Sequence, residues 1–556
     1  MRLRPSSFLF AFLLPLACVA PVVRAADRPA LVVVISIDQF RADYLERFRT
    51  HFGNDGFRLL MEKGADFVDC HYQHSNTKTG CGHAVMLTGV HADVHGIIAN
   101  DWIDPVTLER TSCVGDNSVQ ILGLPAGIPH LPGIEDPYMG RSPRNLMVTT
   151  VGDELRLARG GLPKVIGISN KDRAAILMSG KLANAAYFME AGRMVSSTFY
   201  LPALPAWVNA WNAAGKADAY FNKKWERILP EAAYAVQGPD DMPGEDKTAT
   251  ALGNTLPKTV NGGLSAPGLK FYEALENTPF SNELLADFST AAIDGEKLGS
   301  RPGITDILCV SFSANDHIGH LWGPDSHEIM DNVVRMDRTL AAFLKAIDQR
   351  VGLAKCTIIL TADHAASPMP ERIKQLSPIL PAARINLALS QDAVDQALNA
   401  KFGPLADKGR WVVRDDTSFI IFRDALKEKH LEAAAVQAVI RDAVLTVDYV
   451  EAAYTRDQLE RGDVPTQLGK MALRSFNRER SGDVYFQLKP YHFSKATGTT
   501  HGTPYNYDTH VPQLWYGVGV KPGVYPGRVG VDDIAPTLSH ILGLPAPPRA
   551  DGRVLF

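Results

Sequence analysis

Residues 31–38 read LVVVISID. Seven residues dominated by Val and Ile, with no alternation of polar and apolar positions, describe a strand buried on both faces. The run ends in a carboxylate. Four more stretches have the same buried character: VIGIS at 165–169, ITDILCVSF at 304–312, TIILT at 357–361 and QLWYGVG at 513–519. Helical stretches separate them. Residues 42–62 (ADYLERFRTHFGNDGFRLLME) read as one or two helices broken near Gly53. KDRAAILMSG starts a helix at 171. Residues 326–350 place Ile329, Val333, Val334, Met336, Leu340, Phe343, Leu344 and Ile347 at near-helical spacing, and DDIAPTLSHILG closes the fold. Short apolar strands alternating with helices predict an α/β fold, a largely parallel central sheet with helices on both faces.

Two regions break this rhythm. Residues 200–300, rich in Pro, Gly, Asn and Trp, read as a decorated insertion. Residues 385–495 read as a small α+β cap, with a hairpin in WVVRDDTSFIIF, a helix in LEAAAVQAVIRDAVL and a strand in DVYFQLKP. The catalytic domain is then expected over 26–384 and 496–556.

The chain has 556 residues, 46% hydrophobic and 21% charged, with a net charge of -4. This is a soluble globular composition, and with no basic run anywhere it argues against a nucleic-acid partner. Arg2 and Arg4 precede an apolar stretch from Phe8 to Ala20, and Val23-Arg24-Ala25 offers small residues for cleavage before Ala26. Residues 1–25 therefore read as a signal peptide, and the expected address is periplasmic or secreted. No later stretch is long and apolar enough to predict a membrane span. Five cysteines remain after cleavage: Cys70, Cys81, Cys113, Cys309 and Cys356. Five is odd, so one stays unpaired within the chain. Cys70 with Cys113 is the candidate bridge, and Cys309, inside an apolar run, reads as a buried thiol. Oligomeric state is not legible, and a monomer fits the composition.

Six residues of metal-ligand type stand at or just past the apolar runs: Asp38, Asp316, His320, Asp363, His364 and His501. Ligands bind at the carboxyl ends of the strands in an open α/β sheet, so carboxylates and imidazoles gathered there predict a metal site, and two clusters predict a two-metal site. Asp316 and His320, four residues apart, share one face of a helical turn. Adjacent Asp363 and His364 converge only where a strand turns into a loop. Mixed carboxylate and imidazole donors suit Zn²⁺ better than Ca²⁺ or Mg²⁺. Thr79, in NTKTGCGHAVMLTG, opens a predicted helix and is the candidate nucleophile, because a metal ion and a helix N-terminus both favour its alkoxide. Gly80 and Gly82 beside it are expected to let the backbone approach the substrate.

SIDQFRADYL, NTKTGCGHAVMLTGVHADVHGIIAND, SANDHIGHLWGPDS, TADHAASP and THGTPYNYDTHVP together resemble the alkaline phosphatase superfamily. Within it they are most similar to the secreted bacterial phosphate monoesterases with a threonine nucleophile, relatives of the nucleotide pyrophosphatase/phosphodiesterases. The resemblance implies two Zn²⁺, one held by Asp38, Thr79, Asp363 and His364, the other by Asp316, His320 and His501. It implies phosphoryl transfer from small-molecule phosphate monoesters to Thr79 and hydrolysis of the phosphothreonine. It also implies that Asn100, Lys171 and Arg173 bind the non-bridging oxygens of a dianion, a task suited to a guanidinium fork. The alternative is a phosphodiesterase or nucleotide pyrophosphatase on the same scaffold, for which Lys171 and Arg173 would bring little. His71, His74, His83, His91 and His95 crowd the Thr79 region, yet the motif match leaves them as loop or packing residues, with His83 behind the ligands. His510 is expected to fix the loop bearing His501, and Asp508 to orient a ligand.

Overall fold

The computed structural model describes residues 28–125 and 139–556. The expected leader, residues 1–25, lies outside the described residues. Strand Leu31–Ile37 is buried along its whole length. It stands between Asp306–Phe312 on one side and Cys356–Thr361 on the other, parallel to both. Val165–Ser169 extends the parallel array beyond Asp306–Phe312, and Ala185–Glu190 extends it again. The first strand in the chain thus has later strands on both flanks, the kind of place where an open sheet binds ligands.

Beyond these five strands the ten-stranded sheet turns antiparallel. Arg193–Ser197 folds back on Ala185–Glu190 through Ala191 and Gly192, both at positive φ, as a tight two-residue hairpin requires. Leu514–Gly517 runs antiparallel to Cys356–Thr361. The five central strands are parallel, joined by crossovers long enough to hold helices, and at one edge Ala65–Phe67 makes a further parallel pair with Gly523–Tyr525. Around the sheet, the helices Thr79–Thr88, Val151–Ala158, Asp172–Ser179 and Ile534–Leu542 form one packed group. Phe280–Glu296, Ala314–Trp322 and His327–Arg350 form another. No helix among the described residues is long and apolar enough to cross a membrane.

Residues 200–300 are not all decoration. The helix Phe280–Glu296 packs on the central strands and on His327–Arg350. Its periodicity is hard to read because Ser281, Asn282 and Ser289 are buried along with Leu284, Leu285, Phe288 and Ile293. Earlier in the stretch the structure is short helices and a small antiparallel pair, Lys223–Trp225 with Lys258–Val260. Trp211 and Trp225 are core residues, and Trp225 Nε1 donates to Asp331 at 2.7 Å. Within 385–495, an antiparallel four-stranded sheet runs in the order Val412–Asp415, Ser418–Ile421, Val484–Leu488, Val450–Thr455. With the helices Ala388–Phe402 and Ala433–Val444 it has its own apolar cluster, which includes Val394, Trp411, Phe419, Ile440 and Phe486. The Cys70–Cys113 bridge is not made. Cys70 is a buried free thiol, as is Cys309.

Candidate active site

The register of the parallel strands brings the predicted residues together. Ile37 pairs with Phe312, and Ser36 with Thr361, so Asp38 emerges beside Ser313 and across from Asp363. Ser311 pairs with Ser169, which brings Lys171 to the same edge. Four neighbouring strands thus deliver Asp363 and His364, Asp38, the Asp316 helix and Lys171 to one end of the sheet.

Two clusters result. Asp38, Asp363 and His364 form one, and Asp316, His320 and His501 the other; within each, one donor atom per residue lies within 4.8 Å of the rest. In the first, His364 Nε2 is 3.5 Å from Asp38 Oδ1 and 3.4 Å from Asp363 Oδ2. In the second, Asp316 Oδ1 is 3.2 Å from His320 Nε2 and 3.7 Å from His501 Nε2. The His364 and His501 rings stack across the gap, with centroids 3.5 Å apart. Lys171 touches both clusters, its Nζ 2.7 Å from Asp38 Oδ2 and 2.5 Å from Asp316 Oδ2.

These residues fit metal ligation. Nδ1 of His320, His364 and His501 each lies 2.7–3.0 Å from a backbone carbonyl, of Thr499, Ala365 and Thr77 respectively. A carbonyl only accepts, so the proton sits on Nδ1 and the lone pair of Nε2 faces the carboxylates, as ligating imidazoles are held. Both oxygens of Asp38, and Oδ2 of Asp363, are buried without a hydrogen bond. Carboxylates stripped of water need a cation, and the Lys171 ammonium is one for three of them.

The charges respond accordingly. Burial and the Asp38 carboxylate push Asp363 well above the usual range. Burial would raise Asp316 too, but His320 and Lys171 hold it well below. Burial lowers His364 to about 3, and, with the neighbouring His364, lowers His501 well below its ordinary value. Both rings are therefore neutral near pH 7, the form that binds metal. Burial opposes the Lys171 charge, but Asp316 and Asp38 hold its pKa above normal.

Thr79 is the first residue of the buried helix Thr79–Thr88, and its Oγ1 is 3.5 Å from His364 Nε2. Gly80 N–H donates to Asn100 Oδ1 at 2.8 Å, which leaves the Asn100 amide nitrogen as the donor for a ligand. Lys171 and Arg173 flank the start of the helix Asp172–Ser179. Among the described residues, Arg173 makes a loose 3.8 Å pair with Asp172, and its Nε is buried without a hydrogen-bond partner. Gly82 departs from expectation: a Cβ there would overlap the backbone of Asp363. It permits close contact between the Thr79 helix and the Asp363 turn, not with substrate.

Sequence reasoning missed two supports. Gln39, at φ 61, spans the clusters: its N–H donates to Asp363 Oδ1 at 3.1 Å and its Nε2 to Asp316 Oδ1 at 2.6 Å. Positive φ in a non-glycine residue is a strained conformation that recurs at functional sites. Gly319 leaves the room that the Gln39 side chain fills. Tyr72, fully buried, donates to the carbonyls of Gly82 and Ala362 at 3.2 and 3.0 Å. Only the adjacency of Gln39 to Asp38 was visible in the sequence. His83 behaves as expected, with Nδ1 2.8 Å from the Thr79 carbonyl and 3.3 Å from Asp363 Oδ2. Asp508 accepts from the N–H and hydroxyl of Thr503, in the turn after His501. His510 does not reach that loop; its Nε2 meets the Val68 carbonyl.

Comparison with known proteins places the chain. The family model for type I phosphodiesterase / nucleotide pyrophosphatase matches residues 32–510. Alkaline phosphatase PhoV of Synechococcus elongatus is 35% identical, over 95% of this chain and 92% of the relative. A Myroides odoratus protein named calcium-transporting ATPase is 32% identical over 94% and 93%. Alkaline phosphatase PafA of Elizabethkingia meningoseptica is 31% identical over 95% and 94%. A crystal structure of wild-type PafA superposes with a TM-score of 0.87 over 96% of this chain and 99% of that one. The chain belongs to the type I phosphodiesterase / nucleotide pyrophosphatase family, within the alkaline phosphatase superfamily, and it shares its full-length fold with PafA.

Proposed function

We propose that the chain is a zinc-dependent alkaline phosphatase that hydrolyses small-molecule phosphate monoesters through a phosphothreonine at Thr79. The observation that supports this most is the placement of the Thr79 hydroxyl, at a buried helix start, against two carboxylate–imidazole clusters joined by one lysine. Full-length relatives named alkaline phosphatases point the same way. Asp38, Asp363 and His364, with the Thr79 oxygen, would hold one Zn²⁺, and Asp316, His320 and His501 the other. Bound zinc supplies Lewis acidity, lowering the pKa of an oxygen nucleophile and compensating charge on a leaving oxygen.

The protein's own groups do the rest. The Thr79 hydroxyl gives up its proton as Oγ1 attacks phosphorus, the P–O bond to the alcohol breaks, and the released proton is balanced by the one that the departing alkoxide takes up. Water then attacks phosphorus, the P–Oγ1 bond breaks, and phosphate leaves with the hydroxyl restored. Asn100, Lys171 and Arg173 bind the non-bridging oxygens, so that a dianion is compensated by two cations and one amide donor. Gln39 and His83 keep the carboxylates oriented throughout.

A second reading, a phosphodiesterase or nucleotide pyrophosphatase, is favoured by the description of the family model. Lys171 and Arg173 argue against it, since a diester carries one charge less. The Myroides relative's name adds transport, for which the site offers no observation. Initial rates on an aryl phosphate monoester, diester and sulfate, with and without a chelator, test the proposal. The monoester should be fastest, and chelation should abolish turnover that zinc restores. Diester preference would establish the second reading, and chelator-resistant activity would remove the metal. Export belongs to the same proposal and rests on residues 1–25; a protein retained in the cytoplasm with residues 1–25 still attached would overturn it.

A further inference from the structure

The first hairpin of the cap ends beside the active site. Val412–Asp415 and Ser418–Ile421 pair as far as Asp415 with Ser418, so two residues, Asp416 and Thr417, make the turn. Asp416 has a φ of 49°, a conformation that aspartate tolerates and that two-residue hairpin turns call for. The consecutive carboxylates of Asp415 and Asp416 reach two different catalytic segments. Asp416 Oδ2 accepts from Lys78 Nζ at 2.6 Å, and Lys78 immediately precedes Thr79. Asp415 Oδ2 accepts from the Ile103 N–H at 2.9 Å, and its Oδ1 from Arg110 Nη2 at 3.1 Å. Ile103 and Arg110 face each other in the antiparallel pair of Asp101–Ile103 with Arg110–Ser112, which begins one residue after Asn100. Asn100 Oδ1 in turn receives the Gly80 N–H. Thr79 and Asn100 are thus joined twice, once by that hydrogen bond and once through the cap.

Packing alone does not fix these segments. A cavity of about 230 Å³ lies between them and the cap, with Asn76, Ala99, Ile420 and Phe476 among its walls. Polar ties cross at its margins. Ser475 Oγ accepts from the N–H groups of Ser75 and Asn76 at 2.9 and 3.1 Å, on the approach to Thr79. Arg480 Nη1 donates to the Gly96 carbonyl at 2.6 Å, and its guanidinium lies 5.3 Å from the centre of the Trp102 ring, so it meets the chain on both sides of Asn100. The ties are unequal. The Lys78 and Asp416 side chains are 24% and 51% exposed, and ion pairs open to solvent contribute little. The Asp415 side chain is 15% exposed, and a carboxylate that accepts a backbone N–H makes a charge-assisted bond, one of the stronger kinds. Asp415 therefore carries the main restraint on the Asn100 segment.

We infer that Asp415 is a positioning residue for phosphoryl transfer. By holding the hairpin after Asn100, it sets where the Asn100 amide nitrogen meets a non-bridging oxygen. The inference rests on the phosphatase reading, in which Asn100 binds that oxygen; Asp415 itself touches no substrate. Consecutive Cα atoms are about 3.8 Å apart, so one turn that holds Lys78 through one residue and Ile103 through the next keeps the nucleophile and Asn100 segments at a fixed spacing. A hydrogen-bond donor stabilises a transition state only from the right place, and the cap supplies part of that placement.

The test is a double-mutant cycle between Asp415→Ala and Asn100→Ala in the full chain, with kcat/KM measured on an aryl phosphate monoester at verified metal content. Asp415 stands at a hairpin end, outside the apolar cluster of the cap, so the variants should fold. Asp415→Ala should lower the wild-type value about tenfold or more, the cost of a misplaced group. It should change the Asn100→Ala value less than about twofold, because the group it positions is gone. Asp415→Asn, which keeps an oxygen for the Ile103 N–H, should retain most of the rate. Losses of equal size in both backgrounds would overturn the inference, since the residue would then support the fold alone. Amide hydrogen exchange of residues 98–103 needs no substrate: it should quicken in Asp415→Ala, and unchanged exchange would equally overturn the inference. A wild type inert toward monoesters would sink the phosphatase reading and this role with it, whereas an active wild type with additive losses would sink the positioning role alone.

Discussion

Replacing Lys171 and Arg173 together with alanine should separate monoesters from diesters. The monoester dianion presents one more negative charge to these cations than a diester does. Two unit charges about 4 Å apart interact by about 4 kcal/mol at an effective dielectric of roughly 20. The Lys171 side chain is 9% exposed and pinned between Asp38 and Asp316, so that figure applies to it nearly in full. Arg173 is 24% exposed, and solvent reduces its share to roughly half. The carboxylates that Lys171 already neutralises, and water entering the emptied space, offset about half of the total. About 3 kcal/mol remains, roughly a hundredfold in rate at about 1.4 kcal/mol per decade. Values of kcat/KM for an aryl phosphate and a bis-aryl phosphate, on protein of verified metal content, provide the assay. Monoester hydrolysis should fall roughly a hundredfold further than diester hydrolysis. Equal losses on both substrates would show that the two cations organise the site and do not recognise the dianion.

Thr79→Ala should lose most turnover while retaining bound metal, and Thr79→Ser should keep substantial activity; an alanine variant at full rate refutes the nucleophile. Tyr72→Phe removes the buried hydroxyl that meets the Gly82 and Ala362 carbonyls, an expected loss of about 1 kcal/mol in unfolding free energy, read by denaturant titration. Glu245 is buried with neither carboxylate oxygen hydrogen-bonded, and burial plus the nearby Glu328 raises its pKa to about 9 from 4.5. A folded pKa above the unfolded one means that the folded state holds the extra proton, so stability declines as pH rises between these values. Glu245→Gln, which mimics the protonated acid, should raise the melting temperature at pH 9 and leave it nearly unchanged at pH 4; equal effects at both would exclude this titration.

The central strands were legible because a strand buried on both faces has no polar phase, and a run such as LVVVISI has few other readings. Asp38, Asp316 and Asp363 could be marked for the same reason: each stands at or just past the end of such a run, where an α/β sheet places its ligands. The Thr79 helix and the Asp316–His320 spacing are local features, and local periodicity reports them. Helix Phe280–Glu296 escaped because it is buried nearly all round, which erases the amphipathic pattern that marks a helix.

Other features depended on packing between segments far apart in the chain. Which strands lie side by side, and in what register, set the positions of His501 and Lys171 against carboxylates more than 100 residues away. Gln39 as a bridge, Tyr72 as a clamp and the pairing of His71 with His510 exist only once those strands are aligned. By itself the sequence determined the type of fold and the chemical character of the residues at the strand ends, because both follow from neighbours along the chain. Tertiary structure alone decided which of those groups share a site and which histidines, set aside as packing residues, face one another, because that proximity arises from strand pairing that no local pattern encodes.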